Sequence, residues 1–289
     1  MRPGPASVAQ LICDELPLDA APRRVAEIVA EFSISKGWVT DLSEAQEQAE
    51  LWEDRVLSRL RQIQTDFHGI GRFTKFAFNS SSDYLVQGAC FIEPIDSATL
   101  ADGKNRRFRH SDYYAALREL TPRQFEFLCG KLIQLLGVND PVVTRSSADE
   151  GIDFFGKLSL GSLFYPDDLT PTIQKQLDIW LVGQAKQYQL TQSGTPELRE
   201  LVGSVELGRA KVFGSLNSTL DGLNIRVVDP VFVIFITTGT ISLNGWRLLE
   251  RSGVIGFDGE MIAAFLADRG AGILGTEFLA ARFLEWLET

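Results

Sequence analysis

Only three cysteines, two histidines and two methionines occur in the 289 residues. Cys13, Cys90 and Cys129 are odd in number and widely scattered, without the paired spacing of a zinc ribbon or a disulfide framework. Ordinary buried thiols in a reduced, cytoplasmic protein are expected. His68 and His110 leave little scope for a zinc site or a His-based triad. No run approaches the ~20 apolar residues that span a bilayer, and Met1-Arg2-Pro3-Gly4-Pro5 leads into no long apolar core, so no membrane partner and no secretory leader are expected. Positive charge is also in deficit. The net charge is −10; residues 1–120 carry 14 basic and 18 acidic side chains, and residues 121–289 carry 14 and 20. Phosphate neutralisation dominates nucleic-acid affinity, so a simple DNA-binding protein is disfavoured. Local basic clusters, a divalent cation, a protein partner or self-assembly would have to hold such a substrate.

What is present is a globular chain, 45% hydrophobic, with room for two domains. Residues 1–100 read as a small α+β domain. A helix over Arg23 to Lys36 is followed by a longer amphipathic one over Asp41 to Phe67, with Ala45, Ala49, Trp52, Val56, Leu60, Ile63 and Phe67 spaced by threes and fours. That stripe packs on its own core or meets another chain. Two strand-like runs follow, Arg72 to Phe78 and Tyr84 to Ile92. A helix and a hairpin fit part of a winged helix, although no helix-turn-helix with a basic second helix is evident. A role in partner contact, regulation or DNA contact is open to this domain. Residues 101–120 read as a basic linker holding Lys104, Arg106, Arg107 and Arg109, which either touch phosphates beside an active site or form a solvated connector.

From residue 121 the pattern alternates between helix and strand. Thr121, Pro122 and Gln124 mark a capped helix start, and Phe125, Leu128, Leu132 and Leu136 form its apolar stripe. Val231 to Thr237 is a continuous apolar run, the mark of a strand covered on both faces. Helices are expected at Thr195 to Phe213, Leu243 to Arg251, Glu260 to Asp268 and Thr276 to Leu287, the last capping the core or meeting a second copy. Mixed strands between helices predict an α/β/α sandwich.

Two strands in this region carry polar groups. In the segment Leu177 to Tyr188, alternation puts Gln184 and Lys186 on one face and Ile179, Leu181, Gly183 and Ala185 on the other. On the strand after Asp149-Glu150-Gly151, residues Ile152, Phe154, Gly156, Leu158 and Leu160 share a face and send Asp153 to the opposite one. A carboxylate, an amide oxygen and an ammonium then meet at one end of a sheet. Phosphodiester hydrolysis asks for such a set: oxygen ligands for a hard cation, and a positive group for the developing charge. A buried Lys–Asp ion pair of purely structural value is the competing reading.

The order of blocks carries a resemblance. Thr121 to Leu128 is followed by Thr144-Arg145-Ser146, Asp149 to Asp153, Gln184-Ala185-Lys186, Leu198 to Gly203, Phe235 to Thr238, and Phe257-Asp258-Gly259. From Thr121 to about Ile273 the chain resembles the catalytic domain of Mrr-type restriction endonucleases, a branch of the PD-(D/E)XK nuclease superfamily. The resemblance implies a restriction-endonuclease-like α/β/α sandwich with a mixed central sheet over residues 121–289. It implies Asp153 as a metal-binding carboxylate, Gln184 in the position usually acidic in the superfamily, and Lys186 as the catalytic lysine. It also implies that Glu126 on the first helix and the carbonyl of Ala185 can join a Mg2+ (or Mn2+) site. Glu126 reaches the sheet's end or points to solvent. Asp153 and Gln184 stand 31 residues apart, more than is usual in the family, and the surplus falls in a loop-like stretch, Gly161 to Gln176.

Two functions follow. One is a metal-dependent DNA endonuclease in restriction or anti-phage defence. The other is a nuclease-like subunit that no longer cuts and serves in binding or assembly within a defence complex.

Overall fold

The computed structural model describes residues 2–144, 151–159, 178–188, 192–193, 195–210 and 222–289. The expected loop Gly161 to Gln176 lies outside these, as do Arg145, Ser146, Asp149, Glu150 and the end of the helix expected to reach Phe213. Two compact units divide the chain: Met1–Ser111 with Ala264–Gly270 and Gly275–Glu277, and Asp112–Ala263 with Ala271–Leu274 and Phe278–Thr289.

In the first unit, α1 (Pro5–Glu15), α2 (Val25–Ser35) and α3 (Leu42–Gly69) pack on a three-stranded antiparallel sheet. Its strands are β1 (Arg23–Arg24), β2 (Phe76–Asn79) and β3 (Ser82–Gly88), in the order β1-β3-β2. The apolar stripe of α3 faces its own core: Ala45, Ala49, Val56 and Leu60 are buried with Val8, Ile12, Val29, Phe76 and Val86, and Trp52 and Phe67 pack at the margin. The interleaving of β1 between α1 and α2 is the element order of a winged helix, more complete than the helix and hairpin read from the sequence. The first turns of α3 nonetheless expose Glu44, Glu47, Glu50 and Asp54, a surface that repels phosphate. Glu53 is buried on the same helix. It takes the Arg24 guanidinium at 2.7 Å and the Ala26 N–H at 3.1 Å, so one carboxylate ties α3 to the start of α2.

The stretch expected as a basic linker is helical over most of its length, as α4 (Ala98–Arg107) and α5 (His110–Glu119). Ser97 caps α4 by accepting from Leu100 N. Lys104, Arg106 and Arg107 complement the helix dipole in its last turn.

The second unit is built on a five-stranded mixed sheet, β10-β8-β6-β5-β4. The strands are β4 (Val142–Val143), β5 (Phe154–Ser159), β6 (Asp178–Lys186), β8 (Val231–Thr237) and β10 (Ile255–Phe257); β7 (Gln192–Ser193) pairs separately with β9 (Thr240–Ile241). Antiparallel pairing joins β4 to β5 and β5 to β6, and parallel pairing joins β6 to β8 and β8 to β10. Both faces are covered. Val182, Phe235 and Phe155 pack with Leu198, Leu201 and Val205 of α7 (Thr195–Arg209) and Leu249 of α8 (Leu243–Ser252). The alternate residues Phe154, Leu181, Ile234 and Ile236 are equally buried, and α6 (Pro122–Leu135) packs against β5 and β6. This is the mixed α/β arrangement expected. Two further helices follow, α9 (Gly259–Arg269) and α10 (Ala280–Glu288). Of the two readings open for the last helix, core capping is found: Phe283 is fully buried and stacks with Trp286, edge-on to Tyr113.

The cysteines are free and buried. Burial pushes the Cys13 and Cys90 thiols up to about 12, so neither carries a reactive thiolate at neutral pH.

Candidate active site

The end of β6 is where the polar groups collect. Register sets Phe154 opposite Gly183, which leaves Asp153, just before β5, beside Gln184. Asp153 N donates to the Gly183 carbonyl at 3.0 Å, and Ala185 N donates to Asp153 Oδ2 at 2.7 Å. The carboxylate is therefore held against the peptide between Gln184 and Ala185, one residue from Lys186. Asp153 is 8% exposed and Gln184 only 1%. Gln184 Oε1 is buried without a hydrogen-bond partner among the described residues, a position that costs about 1–3 kcal/mol unless something else takes the lone pairs. Lys186 is half-buried opposite Thr237, and among the described residues no salt bridge engages its ammonium.

Backbone order around this point is set by threonines. Thr144 N donates to the Asp153 carbonyl at 2.9 Å, and Thr144 Oγ1 donates to the carbonyls of Ile152 and Asp153 at 2.9 and 3.1 Å. At the other edge Thr238 Oγ1 accepts from Tyr188 N at 2.9 Å and donates to Tyr188 O at 3.0 Å. Thr144 thus pins the backbone at Asp153, and Thr238 pins the chain just after Lys186.

One expectation is corrected here. Ile152 does not share a face with Phe154; it clusters with Phe155, Val182 and the α7 leucines, whereas the Phe154 ring lies beneath Gly183 on the other side of the sheet. Regular pairing starts only at Phe154, so strand alternation does not extend back to Ile152; Gly151, just before it, has a φ of +81°. A Cβ on Gly151 would also sit 2.4 Å from Ser204 Oγ. Gly151→Ala is expected to cost about 1–3 kcal/mol through the left-handed backbone and this clash together. Urea unfolding checks it, and adding Ser204→Ala should recover only the part due to the hydroxyl.

Glu126 lies on α6, 18% exposed at its side chain, with Oε2 bound to Arg123 Nη1 at 2.6 Å. The same Nη1 donates to the Thr144 carbonyl at 2.7 Å. Cys129, one turn further along the helix, reports on the neighbourhood. Burial drives its thiol well above the usual value, and the carboxylates of Asp153 and Glu126 raise it further. Both acids therefore lie near the same buried thiol. Among the described residues no three His, Cys, Asp or Glu side chains gather at metal-binding distance.

The four basic residues of the expected DNA-contact set each find a partner within the first unit. Lys104 Nζ bonds Asp96 Oδ2 at 2.7 Å and the Phe91 carbonyl at 2.8 Å. Arg107 forms a fork with Asp268 at 2.6 and 2.8 Å, Arg106 reaches the Asp268 carbonyl at 3.1 Å, and Arg109 reaches the Thr276 carbonyl at 2.8 Å. The sequence assigns no role to Arg123, to the Thr144 hydroxyl or to Thr238. A signal exists only for Arg123, a cation in the first turn of a helix, where the dipole disfavours it.

Comparison with known proteins bears on the region around this site. Residues 117–216 match a family model described as restriction endonuclease. No curated protein matches the chain. Among solved structures, the chain is similar to the MspJI restriction endonuclease in complex with a 27-mer oligonucleotide, at 16% identity and a TM-score of 0.42 over 68% of this chain. It is also similar to the DNA modification-dependent restriction endonuclease AspBHI, at 17% identity and a TM-score of 0.41 over 62% of this chain. In both cases the chain spans 39% of the length of that enzyme. The matched residues 117–216 take in Glu126, Asp153, Gln184 and Lys186.

Proposed function

We propose that the protein is a metal-dependent DNA endonuclease acting in the cytoplasm, in restriction or anti-phage defence, with Asp153, Gln184 and Lys186 at its centre. The observation that carries this is the Asp153 carboxylate fixed against the Gln184–Ala185 peptide, beside a buried Gln184 Oε1 with no hydrogen bond from any described residue. An oxygen pair of that kind suits a hard cation better than it suits an apolar core. Asp153, Gln184 Oε1 and the Ala185 carbonyl would hold Mg2+ or Mn2+, and Glu126 would join them if released from Arg123. Such a cation supplies Lewis acidity at the phosphoryl oxygen and a more acidic water. Lys186, half-buried and without a salt bridge among the described residues, orients that water and neutralises charge developing on the phosphate.

Substrate binding must work against the net charge of −10. Among the described residues the exposed Arg106 and Arg107 spend only part of their N–H donors on internal bonds, so with the half-buried Arg109 they are better able to reach phosphates than Lys104, which is 14% exposed and tied twice. Self-assembly or a protein partner would supply the rest. No helix among the described residues is long and apolar enough to cross a membrane.

Purified protein incubated with plasmid, linear duplex and single-stranded DNA should cut at least one of them with Mg2+ or Mn2+ and none after chelation. Cleavage that persists in EDTA, or no cleavage with either metal, sinks the enzyme reading. The acidic charge supports a second reading, a non-cutting assembly subunit, for which DNA or protein binding without cleavage would decide.

A further inference from the structure

Arg123 breaks a local rule. It sits at the second position of α6, after the Thr121 cap and Pro122, where the positive end of the helix dipole disfavours a cation. A residue kept against that field has a counterweight elsewhere, and three contacts supply it. Its Nη1 bonds Glu126 Oε2 at 2.6 Å and the Thr144 carbonyl at 2.7 Å, and its guanidinium carbon stands 4.4 Å from the centre of the Phe127 ring. The ring fixes the guanidinium plane, and the two N–H groups of that one nitrogen join two elements that the chain separates by about twenty residues. Thr144 continues the line, since its N–H and hydroxyl both end on the Asp153 carbonyl. Asp153 Oδ2 then accepts from Ala185 N. A continuous run of hydrogen bonds thus leads from Glu126 through Arg123 and Thr144 to the backbone that aims Asp153 at the Gln-x-Lys strand.

We propose, building on the nuclease reading of this site, that Arg123 is a positioning residue: it ties Glu126 on α6 to the Thr144–Asp153 backbone and so fixes both carboxylates for one metal site. Arg123 itself touches neither metal nor DNA. Lysine cannot replace it, because a point charge on a flexible stem has no planar face to lie on the Phe127 ring and so no fixed direction for the two bonds.

The test compares the full-length wild type with Arg123→Ala, Arg123→Lys, Glu126→Gln and the Arg123→Ala/Glu126→Gln double variant. Two readouts are taken: DNA cleavage against Mg2+ concentration, and Mn2+ binding by calorimetry without DNA. Groups that orient metal ligands typically change metal affinity or activity by about 10–100-fold when removed. Arg123→Ala is expected to raise the half-saturating Mg2+ concentration and weaken Mn2+ binding by about tenfold or more, with Arg123→Lys recovering little. The double variant should be no worse than the more damaged single one, because both lie on one pathway. A merely structural role would lower the melting temperature of Arg123→Ala and leave the metal dependence of its folded fraction at the wild-type value; that result overturns the proposal, as does full recovery by lysine. If the wild type cuts no DNA, the nuclease reading falls by itself and the Mn2+ titration decides the role of Arg123. Wild-type protein that binds no Mn2+ overturns both.

Discussion

Asp153→Asn and Lys186→Ala are expected to abolish DNA cleavage without unfolding the protein, and the reasons differ. Asparagine keeps an oxygen where Asp153 Oδ2 accepts from Ala185 N at 2.7 Å, so the bond that holds the two strand ends together survives while the negative charge that would hold a cation is gone. Asp153→Ala removes the acceptor as well. It should cost about 1–3 kcal/mol, because the half-buried Ala185 N–H then loses its partner. Comparing the two variants separates charge from hydrogen bond. Lys186 makes no salt bridge among the described residues, so its removal should barely move the melting curve. Loss of a group aimed at transition-state charge typically costs about 10²–10³ in rate. Cleavage of plasmid under saturating Mg2+, read beside far-UV melting curves, checks both. A Lys186→Ala protein that still cuts at a rate within tenfold of wild type would remove the lysine from the mechanism.

The largest stability loss is expected from Gly183→Ala. Gly183 is buried in the middle of β6, and a Cβ there would meet the Phe154 ring at 2.2 and 2.4 Å and the Ile234 carbonyl at 2.6 Å. Phe154 is fully buried, so the ring has no free volume to retreat into, and the carbonyl belongs to the parallel ladder with β8. Overpacking of this kind costs about 1–3 kcal/mol and at times more. For a protein of this size each kcal/mol lowers the melting temperature by about 2–4 °C, so a fall of several degrees is the expected reading. Gly203→Ala is the control: it lies in α7 with nothing within 4 Å of its Cβ, and the same change should be neutral or gain about 0.5–1 kcal/mol from helix propensity. Equal melting temperatures for the two variants would mean that the close contact at Gly183 is not as described. Because Phe154 directly follows Asp153, Gly183→Ala should also disturb cleavage in whatever fraction remains folded.

Much of the fold was legible because its signals are local. The capped start of α6 at Thr121 with the capping box through Gln124, the apolar run that becomes β8 at Val231–Thr237, and the stripe of α3 each depend on residues within a few positions of one another. Period and capping chemistry suffice for those. The facing of Gln184 and Lys186 on β6 was legible for the same reason, since alternation holds inside a regular strand. It failed at Ile152, where a left-handed Gly151 lies outside the regular ladder. Residues 101–120 read from the sequence as a polar, basic connector; most of them are helical, and their charged groups meet Asp96 and Asp268, the latter more than 150 residues away.

By itself the sequence determined which chemistry-bearing residues exist, their order, and the faces they take on regular elements, because hydrophobic period and capping act over a turn or a strand. Only the tertiary structure decided that the Asp153 carboxylate closes onto Ala185 N, that Gln184 Oε1 is left without a hydrogen bond from any described residue, and that Arg123 takes Glu126 and Thr144 together. Those are pairings between distant segments, fixed by strand register and side-chain reach, and no property of one segment specifies the partner it will meet.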